Sequence, residues 1–259
     1  MNFSAGVRRS WYELLSAIQF LTRIPVPSQP FEADSLSRSV KYFPFVGILV
    51  GGGAALVNLL LAPHLPRLIA AFLVLLYLVL ATGCFHEDAL ADTADGFGGG
   101  WNREQILLIL RDSRIGSYGG AALVLSLAGR LLLLSSLPAS QIAQYLITAH
   151  MLCRWTTLPL SYFLPPARAQ SAQEVDGQGA RVAQLTSKGT LIGGTLFSFI
   201  IAILLLGSHA IAPIASAIAV TWLTGLYYKK RIDGVTGDCF GTTNQLAEVG
   251  VYLCGVWIA

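Results

Sequence analysis

Charged residues are scarce in this chain. Asp, Glu, Lys and Arg make up 12% of its 259 residues, about half the share of a soluble domain. An ordinary water-soluble fold is excluded. The net charge is only +3, so nothing calls for a nucleic-acid partner. Cysteine is also sparse. Cys84, Cys153, Cys239 and Cys254 show neither a CxxC pair nor Cys/His spacing, so free thiols are expected rather than disulfides or a zinc site. No cleavable leader is expected either. The opening "MNFSAGVRRSWYELLSAIQFLTRIPVP" is interrupted by charges and has no small-residue cleavage site after an apolar core.

The chain has apolar length instead. Hydrophobic residues make up 54% of it. Runs such as "LIAAFLVLLYLVLATGC" and "GTLIGGTLFSFIIAILLLG" approach the ~20 residues that cross a ~30 Å hydrocarbon core as a helix. An open sheet is ruled out, because backbone groups in lipid must be paired internally. The expected fold is all-α: one polytopic membrane bundle over residues 1–259. Its seven expected spans lie near 43–62, 67–84, 117–136, 141–160, 190–207, 210–228 and 243–259.

The connections between these spans fall into two sets. "APHLPR", "LPASQ" and "GSHAIAP" are short and nearly uncharged. The N-terminal segment and the loops 85–116, 161–189 and 229–238 hold almost everything ionisable. Lys and Arg mark the cytoplasmic side, and the two sets alternate along the chain. The N-terminus and the charged loops are therefore expected in the cytoplasm. Within residues 1–27, Trp11, Leu14, Leu15, Ile18 and Leu21 recur at helical spacing, which predicts an amphipathic surface helix ended by Pro25 and Pro27. Residues 165–188 read as a flexible polar loop.

Against this background, "HEDALADTADGFGGG" (86–100) crowds four carboxylates together with no basic residue among them. The preceding helix is expected to continue through about residue 95 and stop at the glycines. Asp88, Asp92 and Asp95 then share one face, with Glu87 about a quarter-turn away. They repel one another near a helix C-terminus, where the macrodipole disfavours anions. A bound cation would relieve both penalties, and oxygen-only donors favour Mg²⁺ or Mn²⁺ over zinc. The bland alternative is a solvated acidic face.

A second acidic element, "DGVTGDCFGTTNQ" (233–245), places Asp233 and Asp238 on the same side of the membrane. Together the loops 85–116 and 229–244 suit phosphoryl transfer, in which metal ions orient phosphates and neutralise developing charge. The alternative for the second element is a polar Asx-type turn. Between them lies "RDSRIGSYGG" (111–120), after a helix whose start is signalled by Asn102 and Gln105. Arg111 and Arg114 are candidates for holding phosphate oxygens, and Gly116, Gly119 and Gly120 for close backbone approach to a ligand.

Positive-inside anchoring explains one of these arginines, and it suffices for Arg8, Arg9 and Lys229–Arg231. Three ionisable residues fall within spans, which makes each a functional candidate. Arg154 and Glu248 are expected to reach the same site or pair with each other. Arg130 is expected to have a structural partner or to snorkel. "FPFVGILVGGG" reads as a close helix-packing surface, and His86 as a weak metal candidate.

The segments "FLTRIPVP" (20–27), "YFPFVGILVGG" (42–52), "HEDALADTADGFGGG", "RDSRIGSYGG" and "DGVTGDCFGTTNQ", in this order, resemble the cobalamin synthase family, adenosylcobinamide-GDP ribazoletransferase. The resemblance runs from residue 20 to about 250. It implies a multi-pass enzyme of a bacterial inner membrane that joins adenosylcobinamide-GDP to α-ribazole or its 5′-phosphate and releases GMP. It further implies that Glu87, Asp88, Asp92 and Asp95 hold Mg²⁺ against the diphosphate. Asp233 and Asp238 would complete the metal site or act as base, and Arg111, Arg114 and Gly116 would bind the phosphates. Asp92, Asp95, Asp238 and Arg114 are the expected catalytic residues. No organic cofactor is implied, and a homo-oligomer is left open.

Two rival readings have sequence tests. "DTADG" matches the opening of the CDP-alcohol phosphotransferase signature, D-x-x-D-G, but "FGGGWNREQI" follows where Ala-Arg and a further G-x-x-x-D-x-x-x-D are required. A cation transporter would place its acids near the midplane, often within repeats, and no repeat is visible.

Overall fold

The structure is a computed structural model whose described residues are 3–27, 35–168, 182 and 186–258. Among them there are helices and no strands, and one isolated bridge pairs Pro166 with Val235. In chain order the helices are α1 (Phe3–Leu21), α2 (Ser35–Ser39), α3 (Phe43–Leu61), α4 (Arg67–Thr82), α5 (Phe85–Gly99), α6 (Arg103–Ile109), α7 (Ser117–Ser136), α8 (Ile142–Trp155), α9 (Thr157–Phe163), α10 (Lys188–Leu206), α11 (Ile211–Ile232) and α12 (Gly237–Ile258).

Helix occupies each expected span, with α8 and α9 together filling 141–160. By length and apolarity alone, 35–61, 117–136 and 188–232 each qualify as membrane-crossing, and α4 with α5 qualifies as a bent pair. The 45-residue stretch 188–232 would measure about 68 Å as a straight rod, over twice a ~30 Å hydrocarbon core. Gly207 interrupts it at φ 58, ψ −131, outside any helical geometry. Most of the flexible loop expected at 165–188 lies outside the described residues.

The centre of the bundle is α8. Every residue from Tyr145 to Trp155 except Ile147 is buried, as befits a helix surrounded by others. Its closest neighbour is α3, and glycine sets the approach. A Cβ on Gly47 would lie 2.1 Å from the His150 carbonyl oxygen, and one on Gly51 would lie 2.5 Å from that of Leu146. The expected packing role of "FPFVGILVGGG" is thus realised by two glycines four apart.

The acidic helix departs from expectation. α4 does not run on through residue 95. Gly83 (φ 66) and Cys84 (φ 61) both take left-handed conformations, and α5 leaves at 85° to α4. The end of α4 is closed by Gly83 N–H donating to Leu80 O and Cys84 N–H donating to Val79 O, the pattern of a glycine-terminated helix. The Arg23 N–H also donates to Ala81 O at 2.7 Å. A Cβ on Gly83 would strike the Arg23 side chain at 2.0 Å. "FLTRIP" therefore packs on the corner from which the acidic helix starts.

α1 is amphipathic, but its apolar stripe is split. Leu15 and Leu21 are buried, while Trp11 stays on the outer face. The same buried side takes Glu13, which is met by Arg9 (3.4 Å), Arg38 (3.0 Å) and Lys41 (2.7 Å).

Gly47→Val is expected to destabilise the purified protein by about 1–3 kcal/mol, because backbone on α8 must move. Gly52→Ala, with nothing within 4 Å of its Cβ, is expected to leave the melting temperature unchanged or slightly raised. Thermal unfolding in detergent compares the two.

Candidate active site

α5 is clamped between α7 and α12 and runs antiparallel to both. Near its C-terminal end, Asp95 accepts hydrogen bonds from the N–H groups of Gly116 (2.7 Å) and Gly119 (2.9 Å). These are unpaired donors at the start of α7, so Asp95 caps that helix from outside. Two turns back, Glu87 meets Arg130 at 2.7 Å and the Gln245 amide at 3.1 Å. Arg130 lies about three turns further along α7 than Gly119. The acidic helix therefore sinks into the bundle instead of standing clear of it.

This geometry reverses the expected dipole argument for Glu87 and Asp88, while Asp95 stays near the C-terminal end of α5. Glu87 and Asp88 lie in the first turn of α5, where the positive end of the macrodipole favours anions. Asp238 occupies the same place on α12.

An open cleft of about 570 Å³ lies at the start of both helices, within the usual range for ligand sites. Its polar lining includes Asp88, Asp238, Asn244, Arg111, Arg154 and Arg168. Phe20, Phe43 and Phe85 form an apolar wall. Phe20 stacks on Phe43 at 5.8 Å between ring centres and meets Phe85 edge-on at 5.2 Å. His86, also in the lining, is buried.

The predicted site residues separate into groups. Asp88 and Asp238 line the cleft, and Asp92 stands one turn beyond Asp88 on the same face. The charges of Asp88, Asp238 and Asp95 all act on Asp92. Asp238 accepts a hydrogen bond from Thr236 Oγ1 at 3.2 Å and lies in the field of Arg168. Both carboxylate oxygens of Asp95 are engaged with α7. Glu87 is buried in its pair with Arg130, away from the cleft lining. Asp233 is an exposed residue in the left-handed conformation that ends α11.

Arg111 lines the cleft. Arg114 is exposed and forked onto Asp112, which holds the Asp112 carboxyl down to about 2. Gly116 is exposed and gives its N–H to Asp95. Among the described residues, no three His, Cys, Asp or Glu side chains stand close enough to form a ready-made ion cage. In donor chemistry, Asp88, Asp92 and Asp238 suit a hard divalent cation. They share a field with no basic partner bonded to any of them among the described residues.

The intramembrane charges also pair differently from expectation. Glu248 meets Arg130 at 3.5 Å, not Arg154. Arg154 donates to the His150 carbonyl at 3.0 Å. Arg130 thus has structural partners, as expected, but they are two carboxylates deep in the bundle. Arg231 does more than anchor: it donates to Gly100 O at 2.8 Å, holding the chain that leaves α5. Arg103 ties Ile232 O (3.0 Å) to Ala167 O (2.6 Å).

Arg168 was not singled out from the sequence. It sits in a polar loop without periodicity, and the Pro166–Val235 bridge together with the Arg103 bond to Ala167 O brings it to the cleft. The capping of α6 by Asn102 is as expected, with Gln105 N–H donating to its side chain at 2.9 Å.

A family model described as cobalamin-5-phosphate synthase matches residues 13–256. The chain belongs to the cobalamin-5-phosphate synthase family. Relatives named adenosylcobinamide-GDP ribazoletransferase are similar over nearly their whole length. The one from Azorhizobium caulinodans is 42% identical, with 94% of each chain covered. That from Polaromonas sp. is 38% identical, covering 93% of this chain and 95% of the relative. That from Vibrio cholerae is 36% identical, with 96% and 95% covered. No solved structure gives a significant match.

Mutual repulsion in the aspartate group predicts a stability effect. Without divalent cations at pH 7, Asp92→Asn is expected to raise the melting temperature, because it removes one of several like charges. The gain should shrink as the pH is lowered, because protonation removes the like charges that the substitution relieves. Thermal unfolding with chelator, at a series of pH values, measures both.

Proposed function

We propose that this member of the cobalamin-5-phosphate synthase family joins adenosylcobinamide-GDP to α-ribazole, or to its 5′-phosphate, and releases GMP. The observation that carries the reading is one cleft holding Asp88, Asp238 and arginines at the starts of two helices, in a chain whose relatives bear the ribazoletransferase name. A volume near 570 Å³ takes a nucleotide-sized group, so the corrinoid ring stays at the cleft mouth.

In this reading the 3′-hydroxyl of α-ribazole attacks the phosphorus attached to cobinamide. The bond from that phosphorus to the oxygen of GMP breaks, and GMP departs in line. Asp88 and Asp92 are the residues to hold Mg²⁺, which when bound neutralises charge on the diphosphate. Asp238 lines the cleft in the first turn of α12, and its role is to accept the proton of the attacking hydroxyl. Displacement is direct, because the described cleft lining pairs no Ser or Cys with a histidine.

The cleft side carries Arg111, Arg114, Arg168 and Lys229–Arg231, whereas the loops at the other face are nearly uncharged. That bias supports a cytoplasm-facing site in a bacterial inner membrane.

Purified protein in detergent is expected to release GMP from adenosylcobinamide-GDP only with both α-ribazole and Mg²⁺. Asp238→Asn should lower kcat by about 10²–10⁴, the usual share of a general base. Asp92→Asn should raise the Mg²⁺ concentration needed for half-maximal rate. A chiral phosphorothioate substrate should react with inversion; retention would mean a covalent enzyme intermediate. No release from folded wild-type protein would overturn the assignment.

A further inference from the structure

Arg154 is the most deeply buried cation that touches the cleft. Its residue exposure is 1%, and it lines the cavity. One edge of the guanidinium is used. Nη1 donates to the His150 carbonyl at 3.0 Å and faces His150 Nδ1 at 3.3 Å. The other edge is not, since Nε is buried with no hydrogen-bond partner among the described residues. No carboxylate pairs with Arg154 there either. Arg168, in the same cleft lining, also has buried Nε and Nη2 atoms without partners among the described residues.

A guanidinium stays charged at any physiological pH. Burying one with open donors costs free energy unless an anion fills them. The bundle does hold other acids. Arg130, however, sits between Glu87 and Glu248 and takes both. His150 stands between that trio and Arg154. Because Arg154 can only donate, His150 Nδ1 must accept. The His150 proton then lies on Nε2, which faces Tyr252 OH at 3.1 Å and Glu248 at 3.8 Å. The histidine thus fixes the Arg154 edge that faces inward and leaves the other edge for the cleft.

We propose that Arg154, with Arg168 of the same lining, is the anion-binding element of the cleft and holds the phosphate oxygens of a diphosphate-linked substrate. This rests on the transferase reading for the identity of the substrate, but not for the presence of the anion site. Arg114 has no part in it, since its guanidinium is committed to Asp112. Planar paired donors suit phosphate oxygens in a way an ammonium does not.

The test uses the full chain in detergent and inorganic pyrophosphate as probe. Binding is read by titration and by the rise in melting temperature. Wild-type protein should bind, and Arg154→Met should lose about ten- to a hundredfold in affinity, as expected for charge-assisted hydrogen bonds. Its probe-free melting temperature should be no lower than that of wild type, because an uncompensated buried charge has been replaced by an apolar side chain. Arg154→Lys keeps the charge opposite the buried trio but not the fork. It should bind weakly and, in the GMP-release assay, raise KM for adenosylcobinamide-GDP more than it lowers kcat.

If Arg154 served only to balance the trio, Arg154→Met would melt early, and both variants would bind pyrophosphate as wild type does. Unaltered binding in either variant, or no binding by wild type, overturns the proposal. If Arg154→Met does not fold, Arg154→Lys decides the question by the same readouts. Arg154-dependent pyrophosphate binding without GMP release would leave the anion site standing and remove the transferase reading. GMP release with KM unchanged in Arg154→Lys would do the reverse.

Discussion

Arg130 inside the bundle governs where the acidic helix lies. It reaches Glu87 on α5 and Glu248 on α12 from its place on α7, so one guanidinium joins three helices. Removing one partner of a buried ion pair costs about 3–5 kcal/mol, because the other charge is stranded. Gln245 and Ser126 extend the junction by side-chain hydrogen bonds. With Glu87 held deep and Asp95 held at the start of α7, the axis of α5 has little freedom. Asp88 and Asp92, between those two anchors, have no side-chain bonds of their own among the described residues.

The acids of "HEDALADTAD" therefore divide by environment although they look alike in sequence. Glu87 is tied to two neighbouring helices through one oxygen, which takes both Arg130 and Gln245, and Asp95 is tied to the start of α7 through both of its oxygens. Asp88 and Asp92 are left to repel each other and Asp238. Such stored repulsion is usual at functional sites, where stability is given up for a charge arrangement that a ligand or ion completes. The arginines divide in the same way. Arg103 and Arg231 close loops onto backbone carbonyls, and Arg114 satisfies Asp112. Arg154 and Arg168 keep open donors beside the cleft.

The corner at Gly83–Cys84 makes this division possible. A straight helix through residue 95 would carry all four acids away from the bundle. Two consecutive left-handed residues turn α5 back along α7, and the Arg23 segment fills the outside of the bend. The turn also brings Phe85 against Phe20, which stacks on Phe43, so the apolar wall of the cleft and its acidic floor share one cause.

Composition and apolar run length determined by themselves that the chain is all-α with several apolar helices able to span a membrane. Those properties are local sums over about 20 residues, and lipid enforces them irrespective of packing. Helix capping at Asn102 and the glycine contact surface of α3 were legible for the same reason. The family motifs all contribute residues to the cleft lining. Which acid does what was decided only by tertiary structure. Helical periodicity placed Asp88, Asp92 and Asp95 together but gave no warning of the corner at Gly83. It also could not tell that Asp95 would meet the start of α7. Arg130 and Glu87 are 43 residues apart, and Arg168 reaches the cleft because the chain before it is held by the bridge to Val235 and by Arg103. Long-range pairings of this kind depend on how helices cross, which no local pattern encodes.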